Sequence, residues 1–262
     1  MKDLKDLLQQ IKDPKEKQFI KTLLEYSLRV EKQQVSLFTD FHDGLWMRQM
    51  VERYIGTSHL ITCSYFGGYE GAQRQIIGIL APYDLEPEPP ISCLKVVVKT
   101  GIGKPLTHRD YLGALLGLGL QRDVVGDIVI ASHGAYIILK ANMASYVCCA
   151  LTQIGKYSIS DMEEVPFSEL PDIKPSTKLI QTTVASLRAD AVLCAGFGIS
   201  RGNCAKLIQG DKALCNGIKV ASSTLLKEGD ILSLRGYGKM RLQQINGQTK
   251  KERVHICIEK YI

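Results

Sequence analysis

The sequence predicts an α+β protein built in three parts, and three observations carry that reading. Leu4, Leu7, Leu8 and Ile11 recur at helical spacing, and after Pro14 the pattern restarts through Phe19, Ile20, Leu23, Leu24 and Leu28. From Ser58 the texture changes to short apolar runs broken by glycine and proline. After a proline-containing stretch, the last third of the chain combines two short helices with tight hairpin turns and a surplus of positive charge.

Taken in order, residues 1–56 are expected as a helical N-terminal region that stops at Gly56. Apolar runs at 60–66, 76–80, 93–99, 128–131 and 136–139 read as strands, with helices at 107–120 and 142–154 between them. Strands interleaved with two helices over 57–170 predict a split β-α-β sandwich of the ferredoxin or RNA-recognition (RRM-like) type. Residues 171–180, with Pro171 and Pro175, form the expected linker. In 181–262, Val184, Leu187, Ala191 and Cys194 mark a helix ending at Gly196-Phe197-Gly198, and Ser200 caps a second over 201–209. Cys204, Leu207 and Ile208 cluster on one side of that second helix and leave a basic side outward. Asn216-Gly217 is a two-residue hairpin turn, and Glu228-Gly229-Asp230 turns into a further strand.

The 262 residues are 45% apolar, which excludes a mostly disordered chain, and the formal charge is +6. That charge is uneven: residues 180–262 hold 13 Lys+Arg against 6 Asp+Glu, whereas the rest is close to neutral. Such a module calls for a polyanionic partner. The charged start, Met1-Lys-Asp-Leu-Lys-Asp, is unlike a signal peptide, and no apolar run approaches a membrane span, so a cytoplasmic protein without membrane insertion is expected. The eight cysteines form no C-x-x-C pair and are expected as buried small hydrophobes, with no metal site.

Three stretches imitate catalytic motifs and fail their chemistry. His108-Arg109-Asp110 lacks the metal-binding Asn five residues after the Asp, where Leu115 stands. Gly101-Ile-Gly-Lys104 lacks phosphate-loop spacing, and Gly113, Gly117 and Gly119 do not follow a strand as a dinucleotide loop requires. Thr107 and Asp110 instead suit a capping box, and Lys104, His108 and Arg109 beside that helix start make a candidate secondary site for an RNA phosphate. Tyr65, Phe66 and Tyr69 could stack bases, but their spacing around Gly67-Gly68 reads more simply as core aromatics beside a turn.

The C-terminal motifs resemble the S4-type (αL) RNA-binding domain. That family's pattern is Arg-x-Asp, Ser-Arg before a helix with Ala and Leu-Ile, an Asn-Gly hairpin and Gly-Asp-x-Ile. Here these are Arg188-Ala189-Asp190, Ser200-Arg201, Ala205-Lys206-Leu207-Ile208, Asn216-Gly217 and Gly229-Asp230-Ile231. Ala189 replaces a usual Leu, and Gly202 and Asn203 stand where a further basic residue is common, which would weaken RNA affinity. Upstream, the stretch 106–120 with Gly126-Asp127-Ile128, and downstream Arg235-Gly-Tyr-Gly-Lys239 and Gly247-Gln-Thr-Lys-Lys251, are similar to the YlmH family.

That resemblance implies an RNA-binding α/β domain followed by an S4-type domain, with no cofactor. It also implies a link to cell division and, through similarity of the C-terminal module to the small protein RqcP, binding of the large ribosomal subunit with tRNA in quality control of stalled translation. The expected protein is a non-catalytic, monomeric binder of structured rRNA and tRNA. Its contacts are expected from Arg188, Ser200, Arg201, Lys206, Lys212, Asn216 and Lys219, extended along the sheet by Arg235, Lys239 and Arg241. The alternatives are an RNA-modifying enzyme of the pseudouridine synthase or methyltransferase type, and a division-site adaptor with a cell-division protein as partner.

Overall fold

After a short helical stretch at 7–10, Asp13 begins the helix α1 (Pro14–Gln33): its carboxylate accepts from the Lys15 and Glu16 N–H groups at 2.8 and 3.1 Å, and Pro14 stands at the first helical position. Asp43 does the same for α2 (Gly44–Tyr54), accepting from Trp46 N–H at 3.0 Å. The computed structural model describes residues 7–56, 62–99, 105–172, 177–249 and 252–261, and it divides into two units, Met1–Pro171 and Asp172–Ile262.

Within the first unit the expected all-helical stretch 1–56 also contains two strands, β1 (Leu37–Phe38) and β2 (His42–Asp43). Both pair antiparallel with β4 (Arg74–Ile79), which also pairs with β3 (Cys63–Phe66). A two-residue strand has no periodicity of its own, and its partner lies more than thirty residues downstream, so only tertiary pairing reveals it.

A five-stranded sheet follows, in the order β6-β7-β5-β9-β8, with every neighbour antiparallel. Its elements run β5 (Ile91–Val98), α3 (His108–Gly117), β6 (Val125–Ala131), β7 (Gly134–Lys140), α4 (Ala141–Ala150), β8 (Gln153–Ile154) and β9 (Tyr157–Val165). The helix expected over 142–154 therefore ends early, and Gln153–Ile154 turns back as a strand. On one face Leu94, Val96 and Ile137 meet Tyr111 and Leu115 of α3 and Val147 of α4. On the other, Cys93, Tyr136 and Ile138 meet Ile76 of β4 and Phe41 from the connection between β1 and β2. Burial on both faces explains why β7, and β5 apart from Ser92 and Lys95, are apolar runs rather than alternating ones.

In the second unit β10 (Thr177–Val184) pairs along its whole length with β15 (Val254–Tyr261). This strand occupies residues expected as linker and as the start of a helix; the helix α5 (Ala189–Phe197) begins only at Ala189, and β-branched Thr182, Thr183 and Val184 suit the strand. The chain continues through α6 (Arg201–Gln209), β11 (Ala213–Cys215), β12 (Ile218–Lys219), β13 (Ile231–Leu234) and β14 (Gly238–Gln248), giving the sheet order β10-β15-β14-β13-β11-β12. Val192, Leu193, Cys204 and Ile208 of the helices bury against Leu232, Met240, Leu242, Ile256 and Ile258. The approach is close: a Cβ on Gly196 would lie 2.2 Å from Met240 Sδ. Among the cysteines, Cys93, Cys204 and Cys257 are buried as expected, but Cys149 is exposed. No described helix is long and apolar enough to cross a membrane.

Candidate nucleic-acid interface

Arg188 occupies the cap position of α5 and turns its guanidinium onto Asp190, with Nε and Nη2 donating to the two carboxylate oxygens at 3.1 and 2.9 Å. Asp190 Oδ1 also accepts from Ala191 N–H at 2.8 Å. The hydrogen bonds from Arg188 hold the Asp190 carboxyl below its ordinary pKa, and the charge of Arg201 pulls the same way. Cys204 Sγ lies 3.6 Å from the Asp190 carbonyl, which seats α6 against the first turn of α5. Asp190 thus pairs with Arg188 alone while the charge of Arg201 is felt from farther off, and the three groups together keep a net positive charge.

Arg201 is exposed at the first position of α6, and Ser200 caps that helix by accepting from Asn203 N–H at 3.4 Å. The Ser200 hydroxyl, expected at the RNA contact, thus has a structural task. Cys204 and Ile208 are buried and Lys206 is exposed, so α6 presents the expected basic side. Lys212 is exposed beyond the helix, and its carbonyl accepts from Arg235 N–H at 2.9 Å, which brings these two basic residues together.

Four expected contacts are placed differently from the sequence reading. Asn216 is consumed by the fold: its Nδ2 donates to Asp230 Oδ1 and its Oδ1 accepts from Ile231 N–H, both at 2.9 Å, while its φ of +49° makes the turn. Lys219 is paired with Asp211 at 2.6 Å. Lys239 and Arg241 alternate with buried Met240 and Leu242 on β14, so they point to the sheet face opposite the helices and do not continue one surface with Arg201.

The start of α3 differs too. Lys104 lies outside the described residues. The Asp110 carboxylate accepts from both Thr107 N–H and Thr107 Oγ1 at 2.7 Å, so this helix start already carries its own anion, which opposes a second. Partial burial, then the charge of Arg122, lowers the His108 pKa, which disfavours its charged form. Arg109 does reach a cleft of about 700 Å³, which is shared with Lys156 and Tyr157 from the β8–β9 turn. Sequence reasoning missed Lys156, because only sheet pairing brings that turn to α3. Tyr65, Phe66 and Tyr69 are half-buried; Phe66 and Tyr69 pack against the core around Phe41 and Ile76, and all three also line a separate cleft with Phe167.

Behind these surfaces, Asp127 ties β6 to β4. It accepts from Tyr69 OH at 2.8 Å, Gln73 N–H at 2.7 Å and Arg74 N–H at 3.1 Å. Arg74 donates to the carbonyls of Phe41, Val125 and Arg122 at 2.6 to 2.9 Å, and Arg122 donates to those of Val125 and Gly126. Burial lowers the Arg122 pKa to about 10, which still leaves it charged. These arginines hold loops together rather than facing a ligand.

Comparison with known proteins gives three likenesses. Residues 103–169 match a family model described as "Putative RNA-binding domain in YlmH". Over 248 residues, 94% of this chain and 95% of the relative, the sequence is 32% identical to "Ribosome-associated protein quality control protein P2" of Bacillus subtilis (strain 168). Among solved structures, "Cell division protein ylmH from Streptococcus pneumoniae" is similar with a TM-score of 0.51 and 21% identity, over 62% of this chain and 98% of that chain. The last is a likeness of fold.

Proposed function

Because this chain belongs to the YlmH family, we propose that it is a non-catalytic RNA-binding protein that engages structured rRNA and tRNA on the large ribosomal subunit during quality control of stalled translation. The relative from Bacillus subtilis is named for ribosome-associated quality control, and the matched family model is named for RNA binding. The observation that carries the reading to residues is the Arg188–Asp190–Arg201 cluster beside the exposed basic side of α6. A guanidinium held at two points by a carboxylate is pre-organised, so less side-chain entropy is lost when its outer N–H groups meet a phosphate. Arg201 and Lys206 add charge whose counterions are released on binding.

The order β5-α3-β6-β7-α4-β9 with sheet neighbours β6-β7-β5-β9 supports a ferredoxin-like, RRM-type sandwich in the first unit. The two helices packed on a sheet with an Asn-Gly hairpin support an S4-type second unit. The non-catalytic reading is supported by the matched family model, named for RNA binding, and by the relative named for ribosome-associated quality control. A division-site partner remains a second reading that only the name of the pneumococcal protein favours.

The test is co-sedimentation with purified large ribosomal subunits. The wild-type protein is expected to pellet with them in a salt-sensitive way, and the double variant Arg188→Ala, Arg201→Ala to stay largely in the supernatant. Unchanged pelleting of a folded double variant overturns this contact surface.

A further inference from the structure

We propose that the aromatic cleft between β3, the loop before β5 and the turn at Phe167–Glu169 holds an unstacked nucleobase of single-stranded RNA, with Arg48 at its rim for the neighbouring phosphate. The proposal rests on the RNA-binding reading above, but its residues lie in the first unit and, apart from Phe167, outside the stretch matched by the RNA-binding family model.

The cleft measures about 340 Å³. That volume suits a nucleotide-sized group, near the lower end of the roughly 300–1,000 Å³ typical of small-ligand sites, and is too small for a duplex or a protein helix. It is lined by Tyr65 and Phe66, which alternate across the end of β3, and by Phe167, each half-buried. Rings that keep part of their surface in water while lining a concavity supply the flat faces on which a splayed base stacks. The rings are held from behind: Phe66 meets Phe38 edge-on at 5.8 Å, and Phe167 packs with Ile138 and Val165.

Gly67 and Gly68 let the backbone pass close to these walls. A Cβ on Gly67 would lie 2.4 Å from Ala72 Cβ, and one on Gly68, at φ +87°, would lie 2.4 Å from the Phe167 ring. Only glycine fits there, so the backbone packs directly on Ala72 and on the Phe167 ring and fixes that wall of the cleft.

Polar groups select the occupant. The exposed Arg48 guanidinium lies 3.9 Å over the Tyr65 ring, and its Nη2 donates to Gln75 Oε1 at 3.1 Å. Gln75 itself lines the cleft and brings a carboxamide for base-edge hydrogen bonding. A cation fixed on two of the lining residues, Tyr65 and Gln75, suits a chain with a phosphate beside each base. Nearby Glu169 lies 3.5 Å from Lys95, which offsets its repulsion of such a chain.

The experiment uses the full-length protein and a short single-stranded oligouridine RNA carrying 4-thiouridine. Ultraviolet crosslinking followed by peptide mapping is expected to mark Tyr65, Phe66 or Phe167. Phe167→Leu, which keeps bulk without the ring face, and Arg48→Ala, a surface change, are each expected to lower oligonucleotide affinity about tenfold, whereas Tyr65→Phe retains it. Crosslinks confined to residues 188–241, or no crosslink at all, overturn the proposal, as does wild-type affinity in both Phe167→Leu and Arg48→Ala. Co-sedimentation with large ribosomal subunits, measured on the same variants, separates the two readings: it is expected to persist in Phe167→Leu and Arg48→Ala and to fail in Arg188→Ala, Arg201→Ala.

Discussion

Asp190 shows how one residue converts a count of charges into a geometry. Its carboxylate fixes Arg188 at two points and lies under the influence of Arg201. Its folded pKa is depressed, so its contribution to stability is present above the ordinary carboxylate value and is lost as pH falls through the lower folded value. Thermal melts of wild type and Asp190→Asn should therefore differ by a constant amount at neutral pH and converge only in acid. A difference that instead grew as the pH fell would contradict the pairing. The variant should also bind large ribosomal subunits several-fold less tightly, because Arg188 loses its anchor. Arg201 was legible because it starts a motif. The same motif logic also nominated Asn216, and there the residue answers to the turn: both ends of its amide close the hairpin against Asp230 and Ile231.

At the scale of elements, legibility followed the source of each pattern. α3, α6 and the Asn216-Gly217 hairpin carry their own caps and turn residues, so their sequence announces them. β1 and β2 are visible only through β4, and β9 is polar along most of its length because β8 covers only Tyr157 and Ser158 and leaves the rest of that edge open, where little burial is needed. The layer of α1, α2 and β2 is held around His42, whose ring meets Phe19 at 5.2 Å and Trp46 at 5.6 Å. Desolvation, then the charges of Lys15 and Arg74, lowers its pKa to about 4 from 6.5. The unfolded chain therefore binds a proton between these values that the folded chain refuses, so stability is complete above about pH 6.5 and declines as pH falls toward 4. The decline amounts to at most about 3 kcal/mol. In His42→Phe, which keeps an aromatic ring in that position, denaturant titrations across this window should lose this share of the slope. An unchanged slope would show that the imidazole is protonated in the folded protein.

Over the whole molecule, the charge divides with the fold: residues 172–262 hold 15 Lys+Arg against 7 Asp+Glu, and residues 1–171 hold 18 against 20. That split could be read from the sequence, but the direction of the second unit's charges could not, since it depends on which residues of β14 turn toward the helices. Arg201 and Lys206 lie on the exposed side of α6, and Lys239 and Arg241 on the far face of the sheet. A rigid RNA helix docked on the α6 side cannot also reach that far face. Each phosphate neutralised contributes a slope of about −0.9 to the dependence of log affinity on log salt for a duplex. Arg201→Ala with Lys206→Ala should therefore flatten the salt dependence of large-subunit binding by about two, whereas Lys239→Ala with Arg241→Ala should leave it unchanged. The measurement is affinity for purified large subunits across a salt series. If the second pair flattens the slope and the first does not, the RNA lies on the open sheet, and Arg188 and Asp190 serve the fold alone.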